Sequence, residues 1–239
     1  MTRRLPPALA FALALAFLSF AVAEAVTQKH EDDYVRARAE EALRGVAAGD
    51  FDARLTALRD YVRANVRNVD FPARGRPLLR DTAAETLRAG KGRCGEATRA
   101  FVNLARASGM SAQRLYLEGR WPHVLAVVRP GDGRRLVVDP YESPYVPEVE
   151  PVERLPEHKQ FTTYSTVGFR RLSLLRRLPS NEFSLGPLAY LLENPHALAS
   201  LFWFAAAALA LALAEVLKRR AARARTTPAP REGLSATAA

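Results

Sequence analysis

Three residues in the middle of the chain, Cys94, His123 and Asp139, have side chains that could act together in nucleophilic catalysis. A cysteine attacks a carbonyl carbon as its thiolate, and it needs a base that moves a proton and a third group that orients this base. An imidazole and a carboxylate are well suited to these two roles. The three residues therefore predict acyl-transfer chemistry, provided that the fold brings them together.

Cys94 is the only cysteine of the chain, and it lies between a glycine-rich segment and an amphipathic helix. Apolar residues recur at helical spacing from Glu96 to about Ser108. The unpaired N–H groups at a helix N-terminus favour a thiolate and can hydrogen-bond the oxygen of a tetrahedral intermediate. Gly92 and Gly95 are expected to leave room for substrate. The alternative interpretation is that Cys94 is a small buried apolar residue.

His123 and Asp139 lie on two segments that predict a β-hairpin. Residues 122–129 and 134–139 are rich in valine and leucine and are separated by Pro-Gly-Asp-Gly. A turn at residues 131–133 places His123 opposite residue 140 or 141, with Asp139 as a diagonal neighbour about 7–8 Å away along the backbone. Taken singly, His123 fits a structural strand histidine and Asp139 fits a turn residue. Their joint placement favours a carboxylate that orients the imidazole.

The remaining pattern predicts an α+β fold with helices first and antiparallel strands after them. A surface helix is expected over residues 31–47, and Asp52 and Thr82 can cap two further helices, the second ending at Gly90. Strands are expected over residues 113–117, 122–129 and 134–139. The middle strand is apolar on both faces, which is typical of a central strand. Five prolines predict that residues 140–156 lack regular structure.

Two apolar runs lie near the ends of the chain. The first, residues 5–23, follows two arginines and ends in Ala-Val-Ala, which fits either a signal peptide with its cleavage site or an uncleaved membrane anchor. The second, residues 197–214, has 18 residues without a charge, enough to cross about 30 Å of hydrocarbon. The second run therefore predicts a membrane span, with an apolar core helix as the alternative.

The charges flanking these runs predict the orientation of the chain. Arg3 and Arg4 precede the first run, and a basic cluster from Lys218 to Arg225 follows the second. Because positive residues favour the cytoplasmic side, the residues between the runs are expected on the extracytoplasmic, periplasmic side, with the C-terminal tail in the cytoplasm. The net charge of +10 resides largely in these flanks. The remaining basic residues form no stripe with aromatics, which argues against a nucleic-acid partner.

These observations predict five segments along the chain. Residues 151–196 are rich in proline and basic residues, and residues 169–178 within them fit either a helix on the membrane surface or one packed on the domain. The predicted order is a signal peptide or anchor over 1–26, a catalytic domain over 27–150, the membrane-proximal segment over 151–196, a transmembrane helix over 197–217 and a basic cytoplasmic tail over 218–239.

Four motifs together resemble the transglutaminase-like superfamily over residues 58–141. They are Gly-Lys-Gly-Arg-Cys-Gly-Glu-Ala, Ala-Ser-Gly-Met-Ser-Ala-Gln, Trp-Pro-His-Val and Leu-Val-Val-Asp-Pro. The resemblance implies a papain-like α+β core in which the cysteine helix packs on an antiparallel sheet. It also puts Cys94, His123 and Asp139 at the catalytic positions of the family.

The resemblance implies a thiol enzyme that transfers an acyl group, or hydrolyses a peptide or amide, through a cysteine thioester, and the two apolar runs predict that this enzyme is membrane-tethered. The expected substrate is an extracytoplasmic protein or peptide, other envelope proteins are candidate partners, and no metal or cofactor is implied. The family often places a hydrogen-bond donor for the oxyanion upstream of the cysteine; Tyr61, Asn65 and Asn68 are the candidates here. The alternative is an inactive binding domain in an envelope assembly.

Overall fold

The computed structural model describes residues 7–69, 81–118, 123–158, 165–167 and 187–226. Contacts within the chain divide it into two compact units. One unit is Val26–Leu198, and the other combines Met1–Ala25 with Ala199–Ala239. The predicted basic helix at 169–178, most of the expected loop before Thr82 and the end of the tail lie outside the described residues.

The described chain alternates helices and short strands in the order expected of an α+β protein. The helices are α1 (Pro7–Ala42), α2 (Phe51–Asn65), α3 (Ala83–Ala89), α4 (Cys94–Ala107), α5 (Pro187–Glu193) and α6 (Pro195–Thr226). The strands are β1 (Arg67–Asn68), β2 (Lys91–Gly92), β3 (Ser111–Glu118), β4 (His123–Arg129), β5 (Leu136–Val138), β6 (Glu150–Pro151) and β7 (Ser165–Val167). The predicted fold class is confirmed.

Side-chain caps set the starts of two helices that lead to the cysteine. Asp50, rather than the predicted Asp52, accepts the N–H of Ala53 at 2.9 Å and begins α2. At α3 the Thr82 hydroxyl accepts the N–H of Glu85 while the Glu85 carboxylate accepts the N–H of Thr82, a complete capping box. Gly90 ends α3 in the left-handed conformation, with φ of 61°, which is the conformation that glycine tolerates best.

The main sheet is antiparallel in the order β6-β5-β4-β3-β7. Its central strand, β4, is buried along six of its seven residues, because both of its faces are covered. Ala126 pairs with Val138 in the β4–β5 register, and continuing that register puts His123 opposite Tyr141. The hairpin therefore has one of the two predicted registers.

Helix α4 is the centre of the core. Every residue from Gly95 to Ala105 is buried, and the helix lies against β3, β4, α2 and α3. Phe101 and Leu104 are fully buried within the main apolar cluster, which includes Leu55 and Leu58 of α2. Burial of such side chains stabilises a fold by about 1.5–3 kcal/mol each. The helix that begins with the cysteine is thus fixed on several sides.

Two local predictions for this unit are wrong. The helix expected over 31–47 ends at Ala42, is continuous with the preceding apolar run, and buries Val35 and Ala39 in the main cluster instead of lying on the surface. Residues 140–156 include β6 and the start of a 3₁₀ helix, Val152–Glu157, despite their prolines. Such short elements tolerate proline because an edge strand leaves some N–H groups unused.

The unit formed by the two ends of the chain is dominated by apolar helical residues. Phe17 and Phe20 lie with ring centroids 5.6 and 5.4 Å from that of Trp203, and the Ser200 hydroxyl donates to the carbonyl of Ala21 at 2.9 Å. Among the described residues two helices, Ala8–Ala42 and Pro195–Ala222, are long and apolar enough to cross a membrane. The length and apolar composition of these two helices agree with membrane association.

Candidate active site

Cys94 is the first residue of α4, as the sequence predicted. Its thiol is free and partly exposed. The first turn is closed by the N–H groups of Glu96 and Ala97, which donate to the carbonyl of Arg93. The N–H groups of Cys94 and Gly95 belong to the same turn, where an α-helix provides no intrahelical acceptor. The thiol therefore lies beside backbone donors that can bind a negatively charged oxygen.

His123 and Asp139 are in direct contact. Nε2 of His123 lies 3.0 Å from Oδ2 of Asp139, with 3% of the histidine and none of the aspartate exposed. The Cys94 thiol lies close enough to the imidazole to raise the pKa of His123. Since Nε2 is used by Asp139, Nδ1 is the ring nitrogen that remains for the thiol. The structure thus brings all three predicted residues together in the order thiol, imidazole, carboxylate.

The loop after β5 holds the Asp139 carboxylate with backbone donors. Its Oδ1 accepts the N–H of Tyr141 at 3.1 Å, and its Oδ2 accepts the N–H groups of Tyr145 and Val146 at 2.8 and 3.4 Å. Such bonds fix the orientation of the carboxylate. The rings of Tyr141 and Tyr145 meet the His123 ring edge-on, at centroid distances of 5.7 and 4.5 Å. The imidazole is therefore held in one plane.

Arg63 of α2 also binds the loop that carries Asp139. Its guanidinium donates to the carbonyl of Asp139 at 2.6 and 3.0 Å, and to the carbonyls of Val146 and Pro147 at 3.2 and 3.0 Å. Four donated bonds from one rigid planar group restrain both ends of the loop. Burial lowers the pKa of Arg63, and the neighbouring Arg59 lowers it further. No sequence pattern indicates this contact, because Arg63 occupies a position typical of a helix-surface arginine.

Two contacts fix α4 relative to its neighbours. The Thr98 hydroxyl donates to the carbonyl of Val124 at 2.9 Å, one residue after His123, and so ties the cysteine helix to the histidine strand. Gly92 is buried, and a Cβ there would lie 2.9 Å from Cβ of Glu96 and 3.2 Å from Cγ2 of Thr86. The expectation that Gly92 makes room for substrate is therefore wrong. It makes room for the packing of α3 on α4.

The electrostatics favour a protonated imidazole at neutral pH. Burial alone would lower the pKa of His123, but its hydrogen bonds to Asp139 and Cys94 and the charges of both groups outweigh it. The pKa of His123 is raised from 6.5 to about 9. An imidazolium beside a sulfur atom stabilises the thiolate form of that sulfur. The arrangement is suited to a nucleophile paired with a proton donor.

The three upstream residues named as oxyanion donors have different surroundings. The Tyr61 hydroxyl is directed to Glu41 of α1 at 3.5 Å, and the exposed Asn65 amide donates to the carbonyl of Tyr61 at 2.8 Å. Asn68 instead pairs with Gly92 across β1 and β2, two residues before the cysteine. Only Asn68 of the three lies beside the segment that leads into α4.

A metal ion has no obvious place among the residues that the structure describes. No group of three or more His, Cys, Asp or Glu side chains is arranged there to hold one. The chemistry available at the candidate site is that of the thiol, the imidazole and the carboxylate.

Sequence reasoning missed Tyr141 and Tyr145 as neighbours of the imidazole. Tyr141 could have been found, because the hairpin register that predicts the His123–Asp139 contact also puts residue 140 or 141 opposite His123. Tyr145 contacts the ring from an irregular loop, for which no periodic signal exists.

Comparisons with known proteins bear on the same region. The model of the transglutaminase-like superfamily matches residues 36–120, which include Cys94 but end before His123 and Asp139. No curated protein matches the sequence. Among solved structures, a candidate cysteine protease from Cytophaga hutchinsonii is similar at 15% identity, covering 58% of this chain with a TM-score of 0.41. The chain spans about half, 47%, of the length of that protein. The match over residues 36–120 confirms that the chain resembles the transglutaminase-like superfamily and carries its core sequence.

Proposed function

We propose that this chain is a membrane-tethered thiol enzyme in which Cys94 is the nucleophile, His123 the acid–base residue and Asp139 the residue that orients it. The observation that carries the proposal is the buried hydrogen bond between His123 and Asp139 at 3.0 Å, next to Cys94 at the start of α4. The match to the transglutaminase-like superfamily supports it. The substrate class we propose is a protein or peptide with a carboxamide or peptide bond.

The proposed reaction has two steps. The Cys94 sulfur attacks the carbonyl carbon, the C–S bond forms, and the carbonyl π electrons move to oxygen. When this oxyanion collapses, the C–N bond breaks and the leaving amine takes a proton from His123, which leaves a thioester on Cys94. In the second step His123 removes a proton from an amine or water, which attacks the thioester and releases Cys94. An amine acceptor gives transfer, and water gives hydrolysis.

Asp139 contributes by orientation and charge. Its carboxylate accepts the hydrogen bond of Nε2–H, which holds Nδ1 towards the sulfur and stabilises the imidazolium. Three backbone N–H groups and Arg63 restrain the loop that carries it, so the geometry is set before substrate binds.

The proposed location is the cell membrane, with residues 27–150 as the catalytic domain on the periplasmic side and a basic tail, 218–239, in the cytoplasm. Two apolar helices and the positive residues flanking them, including Arg3, Arg4 and Lys218, support this orientation. Residues 1–26 then act as an anchor or as a signal peptide, residues 151–196 lie near the membrane and residues 197–217 span it.

Alkylation of the thiol tests the proposed nucleophile. The chain in detergent is treated with iodoacetamide between pH 6 and 7, and the modification of Cys94 is followed by mass spectrometry. We expect alkylation faster than in the denatured chain, because the imidazolium favours the thiolate. His123→Ala should slow it to the denatured rate. An equal rate in native and denatured chains would refute an activated thiol.

Cys94→Ala separates catalysis from the alternative of an inactive binding domain. Alanine removes the sulfur but fits the same helical position, so folding should be preserved. We expect the variant to lose biological function while its circular dichroism and melting temperature stay close to those of the wild type. A folded Cys94→Ala variant with full function would favour binding instead.

The single cysteine also serves as a probe of orientation. A membrane-impermeant maleimide is applied to intact and to lysed spheroplasts, with Cys94→Ala as the control for background labelling. We expect equal labelling in both, because the domain is proposed to face outwards. Labelling only after lysis would place the domain in the cytoplasm and contradict the proposed orientation.

A further inference from the structure

The first part of α1 has one face of small, buried residues and another of large, exposed ones. Ala10, Ala14 and Ala21 are at most 2% exposed, and their spacing of four and seven residues puts them on one side of the helix. Leu15 and Leu18, on other sides of it, are 50% and 42% exposed. Export by a signal peptide depends on an apolar middle part, which does not require such a division into faces. We call Ala10, Ala14 and Ala21 the small-residue face.

Helix α6 packs against the small-residue face. The Ser200 hydroxyl donates to the carbonyl of Ala21 at 2.9 Å, and the Trp203 ring stacks on the Phe17 ring with centroids 5.6 Å apart. Because residue numbers fall along α1 as they rise along α6, the two helices are antiparallel. Ala207, further along α6, is also buried. Close packing at small residues and hydrogen bonds between helices are the interactions that pair helices in a bilayer.

The serines of these two helices are bonded differently. The Ser19 hydroxyl donates at 3.0 Å to the carbonyl of Leu15, four residues earlier in its own helix. This is a common bond of a serine inside a helix. The Ser200 hydroxyl donates instead to Ala21 of the other helix. The bond between Ser200 and Ala21 therefore belongs to the pairing of the helices, and not to the general behaviour of a serine in an apolar segment.

The paired region includes the Ala-Val-Ala sequence that fits a cleavage site. Ala21, Val22 and Ala23 lie in the middle of α1, which runs from Pro7 to Ala42. The Ala21 side chain is buried, and its carbonyl accepts the bond from Ser200. Proteolysis of a folded segment requires that the segment first opens locally. This sequence would therefore have to unwind and leave α6 before a peptidase could cut it.

The rest of α1 is part of the catalytic unit, Val26–Leu198. There the Ala197 N–H donates to the side-chain oxygen of Gln28 at 3.1 Å, and the Tyr190 hydroxyl donates to the Asp32 carboxylate at 2.6 Å. Val35 is buried in the main apolar cluster. Helix α1 thus has structural contacts on both sides of the Ala-Val-Ala sequence.

We propose that residues 7–23 are not removed, and that they form with α6 an antiparallel pair of membrane-spanning helices joined through the small-residue face. Both flanks of the pair, before the first span and after the second, are then cytoplasmic, which agrees with their positive residues. This inference rests on the proposed membrane location and not on the proposed catalysis.

The mass of the purified chain tests whether the first span is retained. Membranes that contain the full chain with a C-terminal tag are washed with alkaline carbonate and extracted in detergent. We expect an intact mass that begins at Met1 or Thr2. A membrane-bound chain that begins at Glu24 would overturn the inference and leave the proposed location in place, because α6 alone would hold the domain. A chain that carbonate removes from the membrane would refute the proposed location itself.

A disulfide tests the pairing of the helices. Ala21→Cys and Ser200→Cys are combined in a Cys94→Ala background, and the membranes are oxidised with copper phenanthroline. We expect a disulfide, because Oγ of Ser200 lies 2.9 Å from the carbonyl oxygen of Ala21. Free thiols are counted by the gel shift with polyethylene-glycol maleimide.

Val22→Cys with Ser200→Cys is the matched control, since Val22 is the next residue of α1 and is 49% exposed. This pair should keep both thiols free. If the Ala21 pair oxidises no faster than the Val22 pair, the helices are not joined through the small-residue face.

Ala14→Leu and Ala12→Leu test the small-residue face with the same substitution at a buried and an exposed position of α1. Leucine at residue 14 would hold the helices apart. We therefore expect the disulfide between residues 21 and 200 to form about tenfold more slowly in Ala14→Leu. Ala12→Leu should form it at the unaltered rate. Similar rates for the two variants would overturn the role of the small-residue face.

Discussion

Helix α4 takes part in two buried clusters of charged side chains that are built in opposite ways. At its first residue, Cys94 meets His123 and Asp139, and both carboxylate oxygens of Asp139 accept hydrogen bonds. Further along, Arg99 and Arg106 of the helix lie near Arg114 of β3 and Glu193 of α5. The first cluster is satisfied locally, whereas the second groups three arginines around Glu193.

Hydrogen bonding shows the difference most clearly. Arg114 donates to Oε1 of Glu193 at 2.7 Å, but Arg99 Nε, Arg114 Nη1 and Glu193 Oε2 are buried without a hydrogen-bond partner among the described atoms. Burial lowers the pKa of Arg99, as expected for a cation removed from water. Glu193 is the carboxylate ion-paired with Arg99 and Arg114, at 3.5 and 2.7 Å, and it compensates much of their charge. The side chains of the candidate site are therefore held by hydrogen bonds, whereas the contacts of Arg99 and Arg114 with Glu193 of α5 are held mainly by charge.

Asp139→Asn should break the first cluster with the largest effect on rate. The amide has an NH₂ where backbone N–H groups now donate, and it no longer stabilises the imidazolium. We expect the rate of Cys94 acylation to fall by about 10⁴-fold, as when the carboxylate of such a triad becomes an amide. Rates are measured per folded molecule with p-nitrophenyl acetate.

Asp132→Asn is the matched control, since Asp132 is exposed in the turn of the same hairpin and binds Arg134. It should acylate at the wild-type rate. Equal rates for the Asp139 and Asp132 variants would show that the carboxylate does not orient a working base.

Glu193→Ala should break the second cluster and affect stability rather than chemistry. It removes the carboxylate that is ion-paired with the buried Arg99 and Arg114, which costs about 3–5 kcal/mol for a broken buried pair. We expect a marked fall in the midpoint of thermal unfolding in detergent, while the folded fraction alkylates Cys94 at the normal rate. Glu153→Ala, which removes an exposed partner of Arg135, should cost less than about 1 kcal/mol. Similar midpoints for the two variants would contradict the assigned role of Glu193.

The titration of His123 gives the third effect. Its pKa is about 9 in the fold against 6.5 for the free side chain, so the fold favours the protonated imidazole. The stabilisation is complete below pH 6.5, declines as the pH rises towards 9 and is lost above it; the difference corresponds to about 3 kcal/mol. Thermal unfolding at pH 6 and pH 9.5 measures it.

His123→Gln provides the control for this pH dependence, because glutamine fills the position without titrating. We expect the variant to lose much of the difference in unfolding midpoint between the two pH values. A variant that keeps the full difference would mean that other groups produce it.

The sequence was sufficient for the parts of the site that depend on local pattern. The apolar spacing after Cys94 predicted where α4 begins, and the Pro-Gly-Asp-Gly turn predicted two registers, one of which the structure has, with His123 at Asp139. Two aspartates near Phe51 could cap the start of α2. The sequence pattern predicted Asp52, whereas the structure uses Asp50. Local patterns thus located elements well and their ends less well.

The rest could not be predicted, because it depends on long polar side chains that meet across the fold. Arg63 and Asp139 are 76 residues apart in the chain, and Arg114 and Glu193 are 79 apart. Neither arginine interrupts its helical or strand pattern, so each looks like a solvated surface residue. The two-residue pairing of β1 with β2, which places Asn68, is also too short to leave a periodic signal.

Arg63→Ala should give the smallest effect. It frees the loop that carries Asp139 but keeps Cys94, His123 and Asp139 themselves. Arg63 holds the loop through the carbonyls of Asp139, Val146 and Pro147. One hydrogen bond to a charged group contributes about 1.5–3 kcal/mol, and contact of the Arg63 guanidinium with water reduces this contribution. We expect a loss of about 1–2 kcal/mol in unfolding free energy and a roughly tenfold slower acylation, since the carboxylate would sample other orientations.

Arg54→Ala is the matched control, because Arg54 also projects from α2 and donates to a carbonyl, that of Ser108 at the far end of α4. It should lose a similar amount of stability and no acylation rate. If both variants slow acylation equally, the effect belongs to general loosening of α2 and not to the loop that carries Asp139.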